Sequence, residues 1–249
     1  MTTLNDYAAG ADDGLSQQLS IAKTALAELD TYGYCLVKNF IAADDLQRLL
    51  QATQALRHDN PAHGVRNLLQ KAPAIKHFMA SAGIRMLIET VLSTAAAPVR
   101  SIYFDKNPQA NWNVAWHQDT MIAVNTKGDL PGFGPWSTKS GVVHVQPPVE
   151  ILQTLVTMRI HLDDTDAHNG ALRVLPGSHR RGRVPTAEIF RLFKSGAVAT
   201  CTAQAGDVLL MRPLLIHSSR KSRNPNHRRI IHVEFSSVSL PSPLQWHGF

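Results

Sequence analysis

Cysteine is nearly absent from this chain: Cys35 and Cys201 are the two that occur, each isolated inside an apolar segment. They cannot form a dense disulfide framework and read instead as buried free thiols of a reducing compartment. Long apolar runs are also missing, with no segment near the roughly eighteen residues a membrane span needs. Residues 1–14 carry Asp6, Asp12 and Asp13 and no apolar stretch, which is not the pattern of a signal peptide. They are expected to form a flexible tail on a cytoplasmic protein. Acidic residues are in the minority, 19 against 25 basic, for a net charge of +6. The surplus gathers at Arg180-Arg181-Gly182-Arg183 and between Arg220 and Arg229. Such runs are mostly solvated surface, and here they lack the interleaved aromatics of a stacking platform, a zinc-finger pattern and a basic-helix pattern. No nucleic-acid or membrane partner is expected. Small anionic substrates suit the charge equally well.

What is present is an ordinary globular composition of 249 residues, 44% apolar, long enough for one domain with a substantial core. The spacing predicts helices over Leu15–Leu29, from Ala43 through Leu56, and over about Ala74–Leu92, with a short strand Tyr34–Val37 between the first two. After Pro98 the pattern becomes strand-like: Val99–Phe104, Ile151–Leu162, Ala171–Leu175, Ala197–Ala203, Val208–Ile216 and Ile230–Phe235. Helices followed by many strands without βαβ alternation point to a mainly β sandwich or jelly roll, the helices packed on one sheet. We therefore expect a single domain over residues 15–249, helical over 15–97, with a β core over 98–236. Between residues 152 and 162 the even positions are nearly all apolar, whereas Thr157, Arg159 and His161 fall on the other face. That polar face is expected to line a pocket inside the roll.

His117-Gln118-Asp119 carries the chemistry. Two imidazoles and one carboxylate bind non-haem Fe(II) on one face and leave the other open. An extended chain would point His117 and Asp119 to the same side. Taken alone the triplet favours a surface loop in which Asp119 merely accepts a hydrogen bond. His217, ending the apolar stretch Leu214-Leu215-Ile216, supplies the third ligand, though a histidine so placed is often only a core residue. Arg228, eleven residues later, would return at the level of His217 in a hairpin, where a guanidinium holds a carboxylate bidentately. Arg229 follows it, and a one-residue slip would exchange their directions.

These segments resemble the phytanoyl-CoA dioxygenase family of Fe(II)/2-oxoglutarate oxygenases. The resemblance rests on Trp116-His117-Gln118-Asp119, Leu162-Asp163-Asp164-Thr165, Asn169-Gly170-Ala171-Leu172-Arg173, Pro176-Gly177-Ser178-His179, and His217-Ser218-Ser219 with Arg228. It implies a cupin-like double-stranded β-helix holding Fe(II) through His117, Asp119 and His217, with 2-oxoglutarate and O2 as co-substrates. Arg228 would grip the distal carboxylate of 2-oxoglutarate, assisted by Ser219. Thr157 and Gln118 are placed on the same co-substrate side. Arg159 falls where relatives often carry an aromatic. It is placed in the substrate pocket together with Lys106, Trp116, His161 and Arg173. The resemblance further implies hydroxylation of an unactivated C–H with release of succinate and CO2. In related halogenases a small residue replaces the carboxylate ligand; Asp119 keeps it. Two other readings stay open at this stage. One is a different cupin-like metalloenzyme, such as a zinc hydrolase with water in the open position, for which Arg228 would have no use. The other is a non-catalytic small-molecule-binding protein of the same fold. The sequence is silent on oligomeric state and on the substrate's identity.

Overall fold

The structure, a computed structural model, describes residues 4–58, 64–139, 141–223 and 226–247. Helix α1 (Leu4–Tyr32) takes in the expected Leu15–Leu29 helix and also residues 4–14, where a tail was expected. Its buried Ala22, Ala25 and Leu29 face the sheet side. Gly33 ends it at φ +82°, its N–H on Leu29 O at 2.9 Å. A Cβ at Gly33 would sit 2.5 Å from His179 Nδ1, so glycine is required by both conformation and space. Strand β1 (Tyr34–Val37) follows as expected, then α2 (Ala43–Gln54), β2 (Val65–Arg66) and α3 (Leu68–Lys71). The expected third helix is two: α4 (Pro73–Met79) and α5 (Ala82–Leu92), separated at Ala80-Ser81.

The β core comprises β3 (Ala97–Lys106), β4 (Val114–His117), β5 (Ile122–Val124), β6 (Trp136–Lys139) and β7 (Val142–Val145) in its first half. A short helix α6 (Val149–Gln153) leads into β8 (Leu155–His161), so the expected strand from Ile151 begins four residues late. Then come β9 (Leu172–Val174), α7 (Thr186–Ser195), β10 (Ala199–Cys201), β11 (Val208–Met211), β12 (His217–Ser219) and β13 (Arg228–Ser236).

The strands form a six-stranded sheet in the order β1-β11-β8-β13-β3-β2, a four-stranded sheet β10-β9-β12-β4, and a small sheet β5-β7-β6. Every strand pairing among them is antiparallel. The first two sheets are the halves of a double-stranded β-helix. Helices α1–α5 cover the outer face of the six-stranded sheet, where Val156, Met158 and Ile160 of β8 and Ile231, Val233 and Phe235 of β13 join one core with Leu29, Leu49, Ile75, Leu87 and Ile88. That apolar layer is the main driving force for holding helices to sheet. The alternate residues of the same strands therefore face inward, which places the site between the sheets. Among the described residues no helix is long and apolar enough to cross a membrane. Cys35 and Cys201 are buried free thiols, as expected.

Candidate metal and co-substrate site

Alternation along three neighbouring strands builds one cavity. From β3 come Arg100, Ile102, Phe104 and Lys106; from β8, Arg159; from β13, Arg228 and His232. The four-stranded sheet contributes Val114, His117, Leu172, His217 and Ser219, and Trp112 and Asp119 complete the lining of a cavity of about 100 Å³.

His217 on β12 is the register partner of His117 on β4, and Ser219 that of Val114. Three steps along β4 therefore match two along β12, a bulge that lets both Val114 and His117 face the cavity and turns Trp116 outward. Beyond the strand, Asp119 N–H donates to Pro213 O at 2.9 Å, fixing the chain where the carboxylate reaches both rings. His117 Nε2 lies 3.5 Å from Asp119 Oδ1 and His217 Nε2 lies 3.6 Å from Asp119 Oδ2. One donor atom from each residue falls within 4.8 Å of the others, so the three can hold a metal ion. Each ring has its Nδ1 on a backbone carbonyl two residues back: His117 on Ala115 O at 2.9 Å and His217 on Leu215 O at 2.8 Å. An Nδ1–H donated there leaves the Nε2 lone pair free for a metal. Burial, only partly opposed by Asp119, pushes His217 down to about 4 and favours that neutral ring. Burial also works against charge on Asp119, but the two histidines outweigh it and hold the carboxyl well below the usual range. The three side chains are thus poised to bind a divalent cation of the non-haem iron type.

At the other end of the cavity Arg228, 3% exposed, has no acidic partner among the described residues, and its Nε lacks a hydrogen bond. Burial, then the nearby Arg159, lowers its pKa to about 9. A buried, unpaired guanidinium is costly unless an anion arrives to meet it. Lys106 Nζ donates to Ser219 Oγ at 2.7 Å and Arg220 O at 2.6 Å, and Ser219 Oγ donates to Gly170 O at 2.9 Å. Burial, followed by Arg228 and Arg159, brings Lys106 down to about 7. Gly170, at φ +84°, lets the chain pass here; a Cβ would lie 2.8 Å from Arg220 O and 3.2 Å from Lys106 Nζ. The choice between the two arginines is resolved by the register of β13. Arg228 pairs with Lys106 and shares its inward face with His232, while Arg229 turns to the outer side and is bound through Nε (2.8 Å) and Nη2 to Asp163.

Several expected pocket residues lie elsewhere. Gln118 points away from the cavity: its Nε2 donates to Gly182 O (2.8 Å) and Leu214 O (2.6 Å), and its Oε1 accepts from Val184 N–H, so it ties the segment 182–184 down. Trp116 stacks on Phe193 of α7 at 5.4 Å, and Arg173 lies over its other side at 5.0 Å. Both are thus on the outer face of the four-stranded sheet. Thr157 is fully buried on β8 and does not line the cavity; its Oγ1 has no partner. His161 is buried and does not line the cavity; its Nδ1 lies 3.0 Å from Thr165 Oγ1. Burial, then Arg159 and Arg228, pushes its ring down to about 3. A ring kept neutral in the fold is protonated first in the unfolded chain, so its contribution to stability is intact above about pH 6.5 and is lost as pH falls toward 3. His161→Gln is expected to flatten that part of a Tm-against-pH curve, and an unchanged slope would contradict the assignment.

Missed in the sequence were Arg100, Ile102, Phe104 and Leu172. The first three share the even face of β3 with Lys106, and continuing the period-two count back from Lys106 would have found them.

The fold and the inward ligand set define a metal-binding double-stranded β-helix. The chain belongs to the phytanoyl-CoA dioxygenase (PhyH) family, which matches over residues 29–230. No curated protein matches it in the sequence comparison. Among solved structures it is similar to AviO1 from Streptomyces viridochromogenes, at 21% identity and a TM-score of 0.66, over 88% of this chain and 96% of that one. It is similar to EctD from S. alaskensis at 19% identity and a TM-score of 0.68, over 88% and 78% of the two chains. A third, SnoK, a non-heme alpha ketoglutarate dependent carbocyclase from nogalamycin biosynthesis, has 15% identity and a TM-score of 0.67, over 87% and 84%. EctD structures are known with bound Fe, and with 2-oxoglutarate and 5-hydroxyectoine.

Proposed function

We propose that this protein is a non-haem Fe(II)- and 2-oxoglutarate-dependent dioxygenase that hydroxylates a C–H bond of a small molecule, releasing succinate and CO2. The observation that carries the reading is the pairing, in one cavity, of the His117–Asp119–His217 triad with the buried Arg228, which forms no ion pair among the described residues. A metal site alone would admit zinc and water; a guanidinium held in reserve for a carboxylate fits a keto diacid co-substrate. The donor set fits Fe(II), being two imidazole nitrogens and one carboxylate around an open side. When bound, iron and 2-oxoglutarate together supply the oxidising chemistry that the side chains cannot.

The residues' own work is holding and excluding. His117, Asp119 and His217 would occupy one face of the metal. Arg228 would take the distal carboxylate of 2-oxoglutarate, with Lys106 beside it as a further donor and Ser219 holding Lys106 in place. Lys106 lies 5.5 Å from the Trp112 ring, which caps that end. Ile102, Phe104, Val114 and Leu172 give the cavity apolar walls that limit water around the reacting centre.

The decisive experiment is an anaerobic optical titration of metal-stripped protein with Fe(II), then with 2-oxoglutarate. A weak visible charge-transfer band that saturates at one equivalent and fades in oxygen is expected. Iron binding without the band would reject the 2-oxoglutarate reading, and no iron binding would reject the metal site.

A further inference from the structure

With the proposed metal and co-substrate in place, one charge in the cavity is still unmatched. Four cationic side chains line it: Arg100, Lys106, Arg159 and Arg228. Arg100 Nη1 is answered by Glu234 Oε1 at 2.9 Å. Lys106, held by Ser219 and Arg220 O, stands with Arg228 at the co-substrate end. In the reading above, the two carboxylates of 2-oxoglutarate go to Arg228 and to the metal. Arg159 is left.

Arg159 is 7% exposed and has no acidic partner among the described residues. Its Nη1 lies 3.0 Å from His232 Nδ1, while its Nε is buried without a partner. His232 Nε2 in turn lies 3.2 Å from Glu234 Oε1. The chain of bonds has one consistent assignment: Nε2–H donates to Glu234 and Nδ1 accepts from Arg159, so the ring is neutral. Glu234 is thereby kept one ring away from Arg159 and satisfies Arg100 instead. Phe104 lies beneath, 5.9 Å from the guanidinium carbon. The neutral imidazole and the aromatic ring therefore fix the guanidinium's orientation without neutralising it. A fixed, desolvated and uncompensated guanidinium is expensive in a folded protein, and it is also the arrangement that grips a carboxylate in two hydrogen bonds.

Its strand position differs from that of the co-substrate clamp. Arg159 pairs in register with His232, four residues along β13 from Arg228. At roughly 3.3 Å per residue the two positions are about 13 Å apart along the strand. Across β13, Arg159 stands level with His232 and Ile102, between Lys106, which reaches Ser219, and Arg100, whose Nη1 donates to Met121 O two residues past Asp119.

Resting on the dioxygenase reading, we propose that Arg159 is the specificity-determining anchor for a carboxylate of the substrate, so that the substrate is a small carboxylate-bearing molecule held by that grip beside the metal.

The test uses full-length protein loaded anaerobically with Fe(II) and saturating 2-oxoglutarate, titrated with matched acid and amide pairs: acetate and acetamide, hexanoate and hexanamide, benzoate and benzamide. Binding is read as a shift of the charge-transfer band. At least one acid is expected to bind tenfold or more tightly than its amide. In Arg159→Gln that preference should fall to within about twofold, with the band itself still formed. The band's presence in the variant shows that fold and co-substrate binding survive. Arg159→Lys, which keeps the charge but loses the fork, should retain part of the preference. Equal binding of acid and amide in every pair, or a preference that survives Arg159→Gln, would overturn the proposal. So would an acid that bleaches the band, since the site it fills is then the co-substrate's. Loss of the band in Arg159→Gln would show instead that Arg159 holds 2-oxoglutarate. A wild-type protein with no band at all fails earlier, at the dioxygenase reading.

Discussion

Asp119→Ala is expected to abolish 2-oxoglutarate turnover and to weaken Fe(II) binding by more than about a hundredfold, with the β-rich fold retained. Loss of a residue merely supporting a metal ligand typically costs about 10–100-fold, and Asp119 is proposed as a ligand itself. Its carboxylate bridges the gap between the two rings, at 3.5 Å from His117 Nε2 and 3.6 Å from His217 Nε2. Without it two imidazoles whose ring centroids stand 4.2 Å apart remain, with no negative charge to balance a divalent ion. The fold should tolerate the change because Asp119 is anchored by its backbone, through its N–H on Pro213 O, and its side chain supports no strand. Succinate formation measured beside iron uptake checks this, with circular dichroism to confirm the fold. Near-normal turnover in Asp119→Ala would mean that a different carboxylate completes the site.

Much of this arrangement could be read from local periodicity. Thr157-Met158-Arg159-Ile160-His161 alternates cleanly because one face of β8 meets the helices and the other is inside the roll. Arg159 on that inner face and Arg228, by its spacing from His217, were both expected at the cavity, and both line it. What could not be read is what depends on pairing between distant strands. The choice between Arg228 and Arg229 required the β13 register against β3 and β8, and Asp163 as the outer partner of Arg229 lies 66 residues away. The bulge on β4 is likewise a two-strand property: it sends Trp116 outward although it neighbours His117 in sequence. Gln118 was misplaced for a similar reason, since its bonds to Leu214 O and Gly182 O span 96 and 64 residues. Helix α7 did leave local marks, with Pro185 before it, Glu188 in its first turn and Gly196 after it. At the start of β8, a one-turn apolar helix after Pro147-Pro148 and a buried strand share the same short hydrophobic pattern, so the strand was begun too early. Residues 122–145 hold strands of three and four residues, too short to show a period.

Arg228→Met should move two measurements in opposite directions. In ligand-free protein the substitution replaces an unpaired, buried guanidinium by an apolar chain of similar reach, so Tm should be unchanged or higher. Toward 2-oxoglutarate the same change removes the partner of a desolvated carboxylate. Truncating one side of a buried charge pair costs about 2–5 kcal/mol, which is a rise in KM of some thirtyfold to several thousandfold. Ligand stabilisation gives an independent reading of the same loss. For the wild type, 2-oxoglutarate at about a hundred times its Kd contributes about 2.7 kcal/mol. In a domain of this size that is about 5–10 °C in Tm, and at the same concentration the increment should fall to about a third of that or less in the variant. Arg229→Met supplies the contrast. It breaks the Asp163 pair on the outer side and should lower the ligand-free Tm while leaving the 2-oxoglutarate increment in place. If the increment instead survives in Arg228→Met and disappears in Arg229→Met, the register of β13 in solution differs by one residue and the clamp has been assigned to the wrong arginine. A destabilised ligand-free Arg228→Met would have a separate meaning: the guanidinium has a structural partner, and its burial no longer speaks for an anionic co-substrate.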